Sequence, residues 1–330
     1  MSARPTRETL FPPIEPYLNG YLNVGYGHQI YFEECGNPDG VPILYLHGGP
    51  GAGCDRDSRR FFDPRKCRII LFDQRGSGRS RPYASIRDNN TWHLVEDMRK
   101  LLKHLGLEGQ KVILFGGSWG STLALVYAVT YPNTVLGMVL QGIFLSEKEE
   151  CLDYLNGQME HSRFPEVCKR FLGNVPEYAR SNPAEYYFAM MTSNDQEARR
   201  KFAYEWSYYE TARLNLTPKS EEELEEEIRS EPYESLSILE AHYIRSLCFL
   251  EDGFILRNAR LVPRVPISII HGRYDDLCSV NSALRLHKVL PTSVLHVVVA
   301  GHSRTDPEIL KKLISETDLI VSQLQVFDAP

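Results

Sequence analysis

The sequence predicts an α/β fold: a mostly parallel central sheet with a helical segment inserted into it. Three observations carry the prediction. Apolar β-branched runs alternate with helix-period segments, several of those runs end in glycine-rich turns, and one long stretch interrupts the alternation. Strands of a parallel sheet are covered on both faces, so they read as short continuous apolar runs rather than as alternating ones. A chain of 330 residues is long enough to bury such a core.

Taken in order, residues 20–35 alternate as a hairpin, and apolar runs at 42–47, 68–73, 111–116 and 135–141 follow as strands. Among them, TWHLVEDMRKLLKHLG at 91–106 has helical spacing, with Thr91 as its N-cap and Gly106 as its stop. Residues 146–250 contain aromatic-rich and acidic helical stretches, KFAYEWSYYETARL and SEEELEEEIRSE among them, and no convincing strand. They predict a helical cap inserted into one α/β domain formed by 1–145 and 251–330. The acidic run 221–231 reads as a solvated helix face. VPISIIHGRYDD at 265–276 and SVLHVVVAGH at 293–302 then return to strands, each emptying into a glycine-containing loop. Neither an internal repeat nor a flexible interdomain linker is visible.

Composition narrows the function classes. With 37 basic and 43 acidic side chains the net charge is −6, which leaves no basic footprint for nucleic acid. No apolar run suits a membrane span, and MSARPTRETLFPPIEPYLNG lacks the apolar core of a secretory signal. Seven cysteines without close metal-ligand pairs favour reduced thiols and a cytoplasmic location. The expected partner is a small molecule, with no metal and no cofactor.

The chemistry is concentrated in VILFGGSWGSTLAL at 112–125, where an apolar run breaks at Gly116-Gly117, presents Ser118, and passes through Gly120 into a helix. Gly-x-Ser-x-Gly between strand and helix is a nucleophile elbow: small flanking residues let strand and helix approach, and the serine sits on a strained turn with its hydroxyl exposed. An isolated match also occurs in ordinary strand-to-helix connections, so the rest of the chain must supply the partners. A serine hydroxyl needs a base beside it and a third group to orient that base. In the α/β-hydrolase fold both come later, acid before histidine, on loops after strands. Asp275 is placed as the acid and His302 as the base, with Asp276 as the neighbouring alternative acid and Glu147 as a weaker one. Upstream, PILYLHGGPG at 42–51 ends in the glycines that would carry the second oxyanion donor. Pro50 has no N–H, leaving Gly48 or Gly49, of which Gly49 is preferred, to act with the N–H of Trp119.

His47-Gly48-Gly49-Pro50-Gly51, Asp73-Gln74-Arg75-Gly76-Ser77-Gly78-Arg79-Ser80, Gly116-Gly117-Ser118-Trp119-Gly120-Ser121 and Gly272-Arg273-Tyr274-Asp275 together resemble the prolyl iminopeptidases, from about residue 20 to near 320. The resemblance implies a serine peptidase of the α/β-hydrolase fold that releases N-terminal proline, with Ser118, Asp275 and His302 as the triad and Gly76 and Gly78 shaping a supporting loop. It also implies that Glu210 and Glu240 bind the substrate amine, that Phe144 and Tyr154 pack against the proline ring, and that Cys278 lies at a common cysteine position, either lining the site or packing beside it. Its substrates would be short peptides with a free N-terminus. The chain departs from the family pattern at Ile244, where Phe is common, at Tyr209, where Trp is common, and at Gln141, where Arg is common. Ile244 alters a wall of the implied proline pocket, which widens the expected range to alanine or other small residues. A broad esterase or amidase with the same triad and a non-catalytic ligand-binding protein are the other classes compatible with these residues.

Overall fold

The computed structural model describes residues 10–155 and 162–327. An eight-stranded sheet forms its centre, in the order β1-β2-β4-β3-β5-β6-β7-β8. β1 (Leu18–Gly25) and β2 (His28–Gly36) make the antiparallel hairpin expected at 20–35. Tyr26 and Gly27 at its tip both take positive φ, the requirement of the tight turns that match strand twist. β2 lies antiparallel to β4 (Cys67–Phe72), whereas β3 (Val41–Leu46), β5 (Val112–Gly117), β6 (Val135–Gln141), β7 (Ile267–Gly272) and β8 (Ser293–Val298) extend the sheet in parallel from β4.

Successive strand residues point to opposite faces, and each face has its own core. Leu44, Ile70 and Leu114 pack on the side of α1 (Thr91–His104) and α2 (Trp119–Thr130). Ile43, Ile69 and Ile113 face Ile309, Leu310 and Leu313 near the start of the C-terminal helix, residues 307–327. Register aligns the carboxyl ends: Leu46 opposes Gly116, Gly117 opposes Gln141, and Gly272 opposes Val298. In an open parallel sheet this edge is where ligands bind.

One cap is shifted from the sequence expectation. Asn90, not Thr91, is the N-cap of α1, and its side chain accepts the His93 N–H at 3.0 Å. Thr91 is the first helical residue, and its hydroxyl donates instead to the Cys248 carbonyl at 2.5 Å. The chain leaves this helix through Gly106 at φ 74°, as expected of its stop.

Between β6 and β7 the chain forms α3 (Lys148–Leu155), α4 (Pro165–Gly173), α5 (Pro183–Met191), α6 (Gln196–Thr211), α7 (Glu221–Ser230) and α8 (Tyr233–Arg245), and no strand among the described residues. Phe171 joins them: its ring stacks on Tyr187 at 4.2 Å and on Tyr209 at 4.3 Å, with Trp206 edge-on at 5.7 Å. The aromatic stretch at 201–214 is therefore the core of this helical layer. α7 opens on a capping box, Ser220 with Glu223, and buries Leu224 and Ile228 while Glu221, Glu222 and Glu223 face solvent. α9 (Phe254–Asn258) packs back onto α2, and α10 (Val280–Val289) follows β7.

Candidate active site

Ser118 occupies the turn between β5 and α2 at φ 55° and ψ −125°, and its N–H donates to the Gln141 carbonyl at 2.9 Å. The elbow is possible because its flanking residues lack side chains. A Cβ on Gly116 would lie 2.3 Å from the Gly120 carbonyl oxygen, and one on Gly120 would lie 2.2 Å from that of Leu46. Strand, elbow and neighbouring strand thus approach to backbone contact, as the glycine spacing predicts.

The three carboxylates considered as the acid part company here. Asp275 Oδ2 is 2.7 Å from His302 Nδ1, while its Oδ1 accepts the N–H groups of Cys278 at 2.8 Å and Leu277 at 3.0 Å. Asp276 is turned away onto Arg213 at 2.8 Å, and Glu147 pairs with Arg285. Burial pushes the Asp275 carboxyl up, but His302, His271 and the Cys278 N–H outweigh it and bring it below its ordinary value. Burial likewise pulls the His302 imidazole down, and the Asp275 carboxylate reverses that, leaving it raised. Gly142, at φ 54°, gives the ring its space, since a Cβ there would lie 2.9 Å from His302 Cε1.

Ser118, His302, Gly48, Gly49, Gln141 and Glu210 share the wall of one cavity of about 1090 Å³. Trp119 heads α2, where its N–H has no preceding helical carbonyl to bond. The glycine loop opposite is braced through Gln74, whose N–H donates to His47 Nε2 and whose amide donates to the His47 carbonyl, both at 2.9 Å. Gln74 Oε1 accepts the Trp119 indole N–H at 2.9 Å, so one side chain ties both proposed oxyanion donors' segments together. Asp73 beside it accepts the N–H groups of Cys54 and Arg79, each at 2.8 Å, and a Cβ on Gly78 would lie 2.6 Å from its carboxylate. The 73–80 segment is thus a scaffold under the glycine loop.

Glu210 on α6 and Glu240 on α8 meet with their carboxyl groups in hydrogen-bonding contact. Glu240 lies behind Glu210 and accepts the Trp206 indole N–H at 2.7 Å, while Glu210 borders the cavity with a buried Oε2 that has no partner among the described residues. Burial raises both carboxyls, and the adjacent Glu210 charge pushes Glu240 well above the usual range. Of the two carboxyls, Glu240 is the one held further above its ordinary value.

Phe144, Tyr154 and Ile244 belong to the main apolar cluster and do not line this cavity. Tyr154 packs 6.0 Å from Trp206 and 5.8 Å from Tyr209 between ring centroids, while Ile244 is only 3 % exposed. Cys278 is buried in contact with the Ser118 hydroxyl, and burial, then Asp275 and Glu150, push its thiol well above the ordinary range. The acidic run at 221–231 is not wholly a solvated face, because Glu227 and Glu231 also line the cavity.

Some contributors escaped the sequence reading. His271 on β7 is fully buried, accepts the Ile143 N–H at Nδ1 (3.0 Å) and lies 2.9 Å from the Cys278 carbonyl and 3.4 Å from Asp275 through Nε2. Burial lowers its proton affinity, so it acts as a neutral brace. A histidine inside an apolar strand just before the acid's loop is the signal that could have found it. Gln141, noted only as a departure, donates through Nε2 to the His302 carbonyl at 2.7 Å.

A family model described as the alpha/beta hydrolase fold matches residues 41–304. The proline iminopeptidase of Neisseria meningitidis serogroup A is 42% identical over 314 residues, covering 94% of this chain and 98% of that protein. That of Arabidopsis thaliana is 39% identical over 310 residues, covering 93% and 81%. Among solved structures, a proline iminopeptidase-related protein from Thermus thermophilus superposes with a TM-score of 0.56 at 21% identity, covering 92% and 99%, and an esterase from Rhodococcus sp. ECU1013 with 0.60 at 20%, covering 93% and 99%. At those identities the two structures share the fold.

Proposed function

The chain belongs to the proline iminopeptidase family on the α/β-hydrolase fold, and from that premise we propose how its own residues carry out the reaction. It is a serine exopeptidase that releases N-terminal proline from short peptides. His302 takes the proton of the Ser118 hydroxyl as it attacks the scissile carbonyl, and Asp275 holds the imidazole in the tautomer that can accept. The N–H groups of Trp119 and Gly49 face the oxyanion, an interaction worth about 3–4 kcal/mol per donor. His302 returns the proton to the leaving amine and then activates the water that frees the acyl-enzyme.

The observation that carries the exopeptidase reading is the unpartnered Glu210 oxygen in the same cavity as Ser118 and His302. A buried carboxylate oxygen without a hydrogen-bond donor is costly, and a cationic amine would relieve it through a charge-assisted hydrogen bond. Two carboxyls in contact that share one proton carry one negative charge for one ammonium group. In this reading Phe144, Tyr154 and Ile244 shape the proline pocket from behind its wall, and residues 146–250 act as a cap over the domain formed by 1–145 and 251–330. No helix among the described residues is long and apolar enough to cross a membrane. All seven cysteines are free thiols, which supports a reducing, cytoplasmic setting.

Turnover of Pro-, Ala- and N-acetyl-Pro-arylamides, compared with that of a simple aryl ester, tests the proposal. Rapid cleavage of the free-amine substrates and loss on acetylation is expected. Equal cleavage of the acetylated substrate would instead make the protein a broad amidase or esterase.

A further inference from the structure

Asp276 follows the acid directly, yet its side chain serves another contact. Arg213, fully buried just past the end of α6, donates through Nε to Asp276 Oδ2 at 2.8 Å and through Nη2 to the Asp276 carbonyl at 2.6 Å, with its guanidinium over the Tyr209 ring at 4.5 Å. One residue on, the Leu214 carbonyl accepts the N–H groups of His302 at 2.7 Å and Ser303 at 2.9 Å. Gly301 meets the same segment so closely that a Cβ would lie 2.7 Å from Leu216 N. The loop carrying the acid and the loop carrying the base therefore both hang on residues 213–216. Glu210 precedes that segment by a single helical turn, and the Arg213 N–H donates to the Glu210 carbonyl at 3.0 Å.

We propose that Arg213 and Asp276 are positioning residues that clamp the acid and base loops to the helix bearing Glu210, so that the Asp275–His302 geometry is set jointly by the sheet domain and the inserted helices. The inference rests on Ser118, His302 and Asp275 acting as proposed above. It concerns placement rather than substrate contact. A guanidinium bound to both the side chain and the carbonyl of one residue fixes two directions at once, which an exposed ion pair does not. Near-attack geometry is sensitive enough for this to matter, since displacement by about 1 Å can cost on the order of 100-fold in rate.

The test separates positioning from amine binding by using reactions that need the base and no amine. Phosphonylation of Ser118 by an aryl phosphonate and turnover of an aryl ester are measured across pH in wild type, Arg213→Met, Arg213→Lys and Asp276→Ala. Arg213→Met is expected to slow both reactions by about 10- to 100-fold. The charged and titratable groups facing His302 are Asp275 and His271 from β7 and its loop, and Glu210 and Arg213 from the cap. Because Arg213 is the cation among them that lies in the clamp, Arg213→Met should also move the acid limb of the rate profile to higher pH. Arg213→Lys should restore the limb but not the full rate. Wild-type labelling and ester rates in folded Arg213→Met, with only the KM of free-amine substrates raised, would overturn the proposal. Should Arg213→Met fail to fold, Asp276→Ala removes the side-chain half of the clamp, and a wild-type labelling rate in that folded variant has the same force. If wild type itself is not labelled at Ser118, the nucleophile assignment fails rather than the clamp.

Discussion

Ser118 sits in a backbone region that costs a non-glycine residue about 1–3 kcal/mol, and the neighbouring glycines and the Gln141 carbonyl hold it there. Ser118→Ala should keep that strain and lose the hydroxyl, so phosphonate labelling and turnover disappear while the melting temperature stays close to wild type. Retained peptidase turnover in purified Ser118→Ala would remove this serine from the mechanism. The two glutamates should not respond alike. Glu240, held further above its ordinary value, accepts from the Trp206 indole, a contact that a glutamine amide can imitate, whereas Glu210 borders the cavity and in the proposed reading meets the amine. Glu210→Gln should weaken kcat/KM for Pro-arylamide by an amount typical of a broken buried charge pair, about 2–5 kcal/mol, with ester hydrolysis preserved. Glu240→Gln should be milder, and a loss equal to that of Glu210→Gln would show that the charge is shared differently.

At the level of elements, the strands and their glycine exits were readable because parallel strands need unbroken apolar runs and because backbone contact at Gly116 and Gly120 excludes a side chain. Asp275 and His302 were readable for the same reason, as the residues that follow such runs. The N-cap of α1 was missed by one position because Asn90 and Thr91 are both competent caps, and only the distant Cys248 carbonyl decides which hydroxyl or amide turns inward. Arg213 could not be read at all: its partner is 63 residues away, and nothing local distinguishes it from a solvated helix-end arginine. The aromatic positions show the same limit, since helical spacing marks Ile244 as inward-facing without saying whether it meets substrate or core. In the structure it is core. Ile244→Phe should therefore act first on packing, destabilising by about 1–3 kcal/mol, while the Pro-to-Ala ratio of kcat/KM changes little. A several-fold rise in that ratio in a well-folded variant would instead place position 244 against the substrate.

For the molecule as a whole, pH sets activity and stability in opposite directions. His302 must be neutral to act as base, and its proton affinity lies above the ordinary histidine value, so kcat/KM for Pro-arylamide should rise only on the alkaline side of about 6.5. It should fall again as the substrate amine deprotonates near about 8. An aryl ester lacking the amine should keep the rise and lose the fall. Glu150, beside Ser282 and the Glu147 N–H, is pushed by burial to about 7 from an ordinary 4.5. The folded state thus binds a proton there that the unfolded state has released, and stability from this group declines as pH climbs from 4.5 through about 7. The decline is on the order of 3 kcal/mol at most, and it is complete where the base becomes competent. Glu150→Gln keeps the side chain neutral and can still accept the Glu147 N–H, with its amide turned to the Ser282 hydroxyl. Thermal unfolding followed from pH 5 to 8 should show a smaller loss of Tm in Glu150→Gln than in wild type, with the acid limb of ester hydrolysis unmoved. Parallel Tm curves for the two proteins would mean that Glu150 is solvated in its ionised form and does not limit stability at the working pH.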